Sequence, residues 1–158
     1  MRVETPCVVL DMDKVHQNLG RMADICKRTH CGLRPHTKTH KIPQLAKLQL
    51  EYGAIGITVA KLSEAEVMAA HGIGDIFMAY PLVGESRIRR ALALAKEIRL
   101  ICATDCRESA EAISRICAAE GASLELRLEV DTGMRRTGIP YDRALEEAVA
   151  IAALPGIR

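Results

Sequence analysis

The sequence predicts an α/β fold of parallel strands wound as an eight-stranded (β/α) barrel, of which the chain supplies about the first five units. Two observations predict it. Short apolar runs alternate with segments of helical period at a spacing of roughly 20 to 25 residues, the pattern of parallel strands joined by crossover helices. Polar side chains, Lys38, Thr58, Tyr80, Asp105 and Asp131, fall at five strand ends, where a barrel of this type gathers its reactive groups. A doubly wound open sheet binding a dinucleotide would carry a glycine fingerprint after its first strand, and here that turn reads Pro35-His36-Thr37-Lys38-Thr39.

The elements follow in order. Val8-Val9-Leu10 reads as a short strand, and Asp11 or Asp13 can cap a helix whose apolar stripe is Val15, Leu19, Met22 and Cys26. Further apolar runs begin near Gly32, Ala54, Asp75, Arg99 and Leu124, each too short for a buried helix and each followed by a helical period. Pro43 suits a first helical turn. Ser63 with Glu66 and Asp105 with Glu108 fit capping boxes, while Gly53, Gly72 and Gly121 close helices. Ile88, Leu92 and Ala95 form one core stripe, Ile113, Ile116 and Cys117 another, and Leu145, Ala148, Val149 and Ala152 a third. At Leu154-Pro155-Gly156-Ile157-Arg158 a sixth strand is due to begin. Residues 1–158 are therefore expected to be the N-terminal part of a longer barrel; a complete five-stranded open domain is the alternative.

Composition narrows the function. Of the 158 residues 49% are hydrophobic and 27% charged, enough for a core and too apolar for disorder. The net charge is only +2, and the aromatic side chains are three tyrosines and one phenylalanine, so nucleic acid finds neither a basic footprint nor a stacking platform. No run approaches the about 18 apolar residues of a membrane span, and the start Met1-Arg2-Val3-Glu4-Thr5-Pro6 lacks the apolar core of a secretory signal. A cytoplasmic protein with reduced thiols at its six cysteines is expected.

The chemistry concentrates in Leu33-Arg34-Pro35-His36-Thr37-Lys38-Thr39-His40-Lys41. A lysine crowded by other cations and partly desolvated loses preference for its charged form and becomes a nucleophile that makes Schiff bases. The competing reading is a solvated basic loop. His36 stands two residues before Lys38, on the same strand face, while His40 falls past the strand end. Cys31, His36 and His40 match no common zinc frame and lack a fourth ligand. His16, His30 and His71 read as solvated. Later in the chain Gly133 and Gly138 permit tight turns around Arg136, whose planar fork suits a carboxylate or phenolic oxygen. Glu129 and Asp131 share a strand face and could fix Arg136, or satisfy barrel-interior charge.

Thr5-Pro6 before Val8-Val9-Leu10-Asp11, the Arg34 to Lys41 run, Gly56-Ile57-Thr58-Val59, Ser63-Glu64-Ala65-Glu66 and Glu129 to Gly138 together resemble the D-threonine aldolase and D-serine dehydratase group, which has the alanine racemase N-terminal barrel. The resemblance spans the chain with its motifs in family order. It implies pyridoxal 5'-phosphate, with Lys38 as the Schiff-base lysine and Lys41, the second lysine of the signature, as a solvated residue outside the barrel mouth. His36, Arg136, Thr58 and Tyr80 are the accompanying cofactor-binding candidates. The implied activity is retro-aldol cleavage of a D-β-hydroxy amino acid to glycine and an aldehyde; the alternatives are D-serine dehydration, racemisation, or a cofactor-binding protein without catalysis. The usual lysine-alanine-aspartate-alanine-tyrosine run of a racemase is absent. A divalent metal, if used, is expected from residues outside this chain, as are the remaining barrel, a C-terminal β domain and a homodimeric assembly. One residue departs from the pattern: the position before the matching arginine is commonly glycine, and here it is Arg135.

Overall fold

The structure, a computed structural model, describes residues 4–158; Met1-Arg2-Val3, part of the start read above as lacking a signal core, lie outside the described residues. Six helices, α1 (Met12–Thr29), α2 (Pro43–Glu51), α3 (Leu62–Ala70), α4 (Glu85–Ala95), α5 (Arg107–Glu120) and α6 (Ala144–Ala152), alternate with strands β1 (Ile57–Val59), β2 (Asp75–Pro81), β3 (Arg99–Thr104) and β4 (Glu125–Leu128). A short pair, β5 (Val130–Asp131) and β6 (Ile139–Pro140), stands before α6. Strands β1 to β4 form one parallel sheet in chain order with a helix between each pair. Such an unbroken order is barrel winding; a doubly wound sheet reverses at a switch point.

The arc extends one place on either side. His36 bridges Thr58 in parallel, and the Thr58 N–H donates to the Pro35 carbonyl at 2.7 Å. At the other edge Ile157 bridges Leu124, with Leu126 N–H donating to Arg158 O at 2.9 Å. Residues around Leu33–His36 thus take the first strand's place, and Ile157-Arg158 lie where the sixth strand was due.

Register decides which side chains face where. Ile57, Ile76 and Leu100 align, as do Val59, Met78, Cys102 and Leu126. These are buried in the core cluster with Ile88, Leu92, Ile113 and Cys117 from the helices. Each fully buried Ile or Leu contributes about 1.5–3 kcal/mol, so this layer between sheet and helices is the main source of stability. The intervening residues, Thr58, Phe77, Ile101 and Glu125 in one row and Ala103 and Arg127 in the next, stand on the opposite, inner face.

At the floor of that inner face charges alternate across the strands. Arg34 Nη1 pairs with Asp75 Oδ1 at 2.6 Å, Asp75 Oδ2 with Arg99 at 3.1 Å, and Glu125 Oε1 with Arg99 at 2.9 Å and Arg127 at 2.8 Å. Burial would raise the Asp75 carboxyl, but hydrogen bonds and charge from Arg34, then Arg99, hold it below the usual range. Gly56 lies beside this ladder because an added Cβ there would meet the Asp75 carbonyl at 2.8 Å.

Several sequence expectations need correction. Val8-Val9-Leu10 forms no strand, and Val8 is 94% exposed, because an apolar tripeptide becomes a strand only beside an open ladder and no described residue pairs with it. Asp11 does cap α1, accepting the Lys14 N–H. The expected boxes at Ser63 and Asp105 do not form: Lys61 and Cys106 occupy the N-cap positions, and Glu64, not Glu66, reaches back to accept the Ala60 N–H at 2.9 Å. Helix α6 is rotated from its expected stripe, with Leu145 78% exposed and Glu147 5% exposed. The Glu147 carboxylate is held between Arg107 at 3.0 Å and Arg143 at 2.7 Å, and this pairing, with Ile151 below it, turns the apolar side outward. No helix among the described residues is long and apolar enough to cross a membrane.

Candidate functional site

A cleft of about 250 Å³ opens on the inner face at the C-terminal ends of the strands. Phe77, Ala79 and Ala103 line its wall, and His36, Lys38, Arg127, Glu129 and Arg136 bring polar groups to it.

Lys38 is presented by a turn fastened at a buried point. Thr37, 1% exposed, donates its hydroxyl to the Thr58 carbonyl at 3.1 Å, tying the turn to β1. The Thr37 carbonyl accepts the His40 N–H at 3.2 Å and the Lys41 N–H at 2.8 Å, closing one 3-10 turn around the exposed Lys38. His36 Nδ1 accepts the Lys38 N–H at 3.3 Å, so the neutral ring carries its proton on Nε2. Burial, then the charge of Lys38, push the His36 pKa below its ordinary value, while the Thr58 carbonyl and Glu64 pull the other way. His40 accepts the Ile42 N–H on Nδ1 at 3.0 Å and so holds the approach to α2.

Lys41 is exposed outside the cleft, as expected of a solvated residue, and yet has a partner. It takes a left-handed backbone, φ 53°, and its ammonium pairs with Glu64 Oε1 at 3.3 Å. A non-glycine residue there is strained, so the contacts of the turn must hold it.

Arg136 reaches the cleft from the loop between β5 and β6. Asp131 Oδ1 accepts the Gly133 N–H at 2.8 Å and the Arg135 N–H at 3.0 Å, and these bonds, that of Arg135 first, lower its pKa. Asp131 therefore shapes the loop and does not grip Arg136; Glu129 likewise takes the Thr137 hydroxyl. Arg135 answers the departure noted in the sequence. Its φ is 54°, the left-handed region a glycine would occupy freely, and its side chain is exposed.

Of the five cofactor candidates the structure brings Lys38, His36 and Arg136 together. Thr58 lies lower on the inner face, 7% exposed, with its hydroxyl donating to the Arg34 carbonyl at 3.2 Å. Tyr80 lies within the irregularity of the β2–β3 register between Met78 and Pro81 and borders a separate groove with Lys61 and Arg87. Arg127 and Phe77 went unnoticed in the sequence. The signal for Arg127 was the every-second-residue charge of Glu125, Arg127 and Glu129, a polar inner face on a strand.

The donor set suits an anionic aldehyde cofactor such as pyridoxal phosphate: an amine nucleophile, two arginine forks for a carboxylate or phenolic oxygen, and a neutral imidazole beside the amine. It does not suit a metal, since no group of three or more His, Cys, Asp or Glu side chains converges among the described residues.

Comparison with known proteins places this cleft in a family context. Residues 10–158 match the family described as alanine racemase, N-terminal domain. The chain is 37% identical to a D-threonine aldolase of Arthrobacter sp. over 158 residues, covering 99% of this chain and 41% of that protein. Among solved structures, D-threonine aldolase from Filomicrobium marinum superposes with a TM-score of 0.94 at 35% identity, and D-threo-3-hydroxyaspartate dehydratase from Delftia sp. HT23 with 0.91 at 33%; each match covers 99% of this chain and 42% of the other. The chain thus spans about two fifths of the length of these relatives.

Proposed function

Because the chain belongs to the alanine racemase N-terminal domain family, we propose that it is the amine-bearing part of a pyridoxal 5'-phosphate lyase acting on D-β-hydroxy amino acids. The observation that carries the proposal is the cleft itself, in which Lys38 stands beside a His36 held neutral and faces Arg136. When bound, pyridoxal phosphate supplies an electron sink for the pair released as a bond at the amino acid's α or β carbon breaks.

The residues of this chain have separable tasks. Lys38 would hold the cofactor's aldehyde through its amine. Arg136 and Arg127 offer planar forks to the anionic groups of cofactor and substrate, and Glu129, held by Thr137, gives the cleft its one carboxylate. Phe77 and Ala103 exclude water from the inner wall, which strengthens each of these polar contacts. Thr58 acts from below by holding the Arg34 backbone. Tyr80 contributes at the margin, from the neighbouring groove. The reaction we favour is cleavage to glycine and an aldehyde, in a cytoplasmic homodimer with a small D-amino acid as its ligand and with neither nucleic acid nor membrane as partner. A divalent metal, where the reaction uses one, is held by residues outside this chain.

Dehydration is the second reading, supported by the Delftia dehydratase superposing almost as well as the aldolase. The deciding experiment supplies the intact protein with pyridoxal phosphate, a divalent cation and either D-threonine or D-threo-3-hydroxyaspartate. Glycine with an aldehyde supports cleavage, whereas a keto acid with ammonia supports dehydration. Release of neither, with inversion of D-alanine instead, would overturn the lyase reading in favour of a racemase.

A further inference from the structure

The signature lysine that does not face the cleft has the more unusual environment. Lys41 is held at φ 53°, and its ammonium meets Glu64, which is 9% exposed and also accepts the Ala60 N–H through Oε2 at 2.9 Å. Glu64 thus sits in the first turn of α3 with one oxygen committed to the backbone and the other to Lys41. A carboxylate this buried gains from a counter-charge, and the Lys41 ammonium supplies it from the solvent side, on a side chain 55% exposed. The same carboxylate acts electrostatically on His36, across the turn that carries Lys38.

These contacts form one line from α3 to the amine: Glu64, then Lys41, then the Thr37 carbonyl that accepts the Lys41 N–H, with His36 and Lys38 on the same turn. We propose that Lys41 is a positioning residue for Lys38: its ammonium neutralises Glu64 and its backbone N–H bonds Thr37, so that it anchors against α3 the turn that carries His36 and Lys38. The proposal rests on Lys38 being the reactive amine, while its first consequence can be measured without that assumption.

His36 is the reporter, because a protonated imidazole has no lone pair left on Nδ1 to accept the Lys38 N–H. The charged groups around it are Lys38 on its own turn, Glu64 from α3, and Arg127, Glu129 and Arg136 lining the same cleft. Lys41→Met leaves the cleft charges unchanged and strips Glu64 of its partner, so the His36 pKa should rise. Glu64→Gln keeps an acceptor for the Ala60 N–H and removes the negative charge, so the His36 pKa should fall. The double variant separates the routes: an effect of Lys41 that runs through Glu64 vanishes once Glu64 is neutral, whereas an independent effect of Lys41 on His36 survives there.

The test is a nuclear magnetic resonance titration of His36 in the intact protein and in Lys41→Met, Lys41→Arg, Glu64→Gln and the Lys41→Met/Glu64→Gln double variant. The expected result is a rise of about half a pKa unit or more for Lys41→Met, a fall for Glu64→Gln, a near-native value for Lys41→Arg, and a double variant that follows Glu64→Gln. An unchanged His36, or a shift of the same sign in both single variants, would overturn the proposal. Glu64→Gln, which preserves the backbone contact, keeps the question answerable if Lys41→Met does not fold. Alongside, borohydride fixation of pyridoxal phosphate on Lys38 should slow several-fold in Lys41→Met and recover in Lys41→Arg. If the native protein fixes nothing on Lys38, the reading of Lys38 fails while the His36 titration still decides the part played by Lys41.

Discussion

Arg135→Gly should stabilise the protein, although it deletes a long side chain and restores flexibility to a loop. Arg135 sits at φ 54°, where an L side chain meets its own backbone, at about 1–2 kcal/mol relative to glycine. Glycine loses more chain entropy on folding, which returns roughly 0.5–1 kcal/mol in the opposite direction. Nothing else offsets the gain: the side chain is exposed and makes no ion pair among the described residues, and the one bond of the residue, Arg135 N–H to Asp131 Oδ1 at 3.0 Å, belongs to the backbone and survives the change. The balance is a net gain of roughly 0.5–1 kcal/mol, or about 1 to 4 °C in melting temperature for a chain of this size. Thermal unfolding followed by circular dichroism, on the native and variant proteins side by side, measures it. A lower melting temperature for Arg135→Gly would refute the reasoning and mean that the arginine side chain has a partner worth more than the backbone strain.

Two further outcomes follow from the same geometry. Gly138→Ala should destabilise by about 1–3 kcal/mol and displace Arg136, because the new Cβ would meet the Asp131 nitrogen at 2.6 Å at a φ of 106°, forcing β5 from β6; thermal melts report it, and a native melting temperature would contradict it. The floor ladder should fail in acid: Asp75 is held below its ordinary 3.8 and Glu125, chiefly by the hydrogen bond from Arg99, below its ordinary 4.5, so their stabilisation is present above those values and is lost as pH falls through the lower folded ones. Urea midpoints measured from neutral pH down to about pH 3 should therefore drop less steeply for Asp75→Asn, whose midpoint already lies lower at neutral pH.

The parts of this molecule legible in the sequence are those set by local rules. Asp11, Pro43 and Gly121 stand at helix ends as their chemistry dictates, and the stripes Ile88–Leu92 and Ile113–Cys117 pack inward because the polar groups buried with them, Ser109 and Ser114, donate to the Leu82 and Pro155 carbonyls. Expectations failed where a distant partner decides. Glu147 looks like a surface residue until Arg107, forty positions earlier, is known to reach it, and that contact inverts the apparent apolar face of α6. Val8-Val9-Leu10 has strand chemistry and lacks a ladder to join. In the site, the crowding of cations around Lys38 was visible, but the assignment of duties within it was not. Lys41 is exposed as the sequence suggests, but its pairing with the buried Glu64 on the next helix is not legible there, and Asp131, open to fixing Arg136 or to satisfying interior charge, spends its oxygen on the backbone of its own loop. Both are outcomes of loop conformation, which periodicity does not encode.

The central claim is that Lys38 is the amine that holds the cofactor, and the most direct measurement is borohydride reduction of the intact protein in the presence of pyridoxal phosphate, followed by mass mapping of its peptides. The account predicts a single reduced adduct on Lys38, absent in Lys38→Ala, with Lys41 and Lys61 unmodified. An adduct on Lys41 or Lys61 that persists in Lys38→Ala, or no adduct on a folded intact protein, would contradict it.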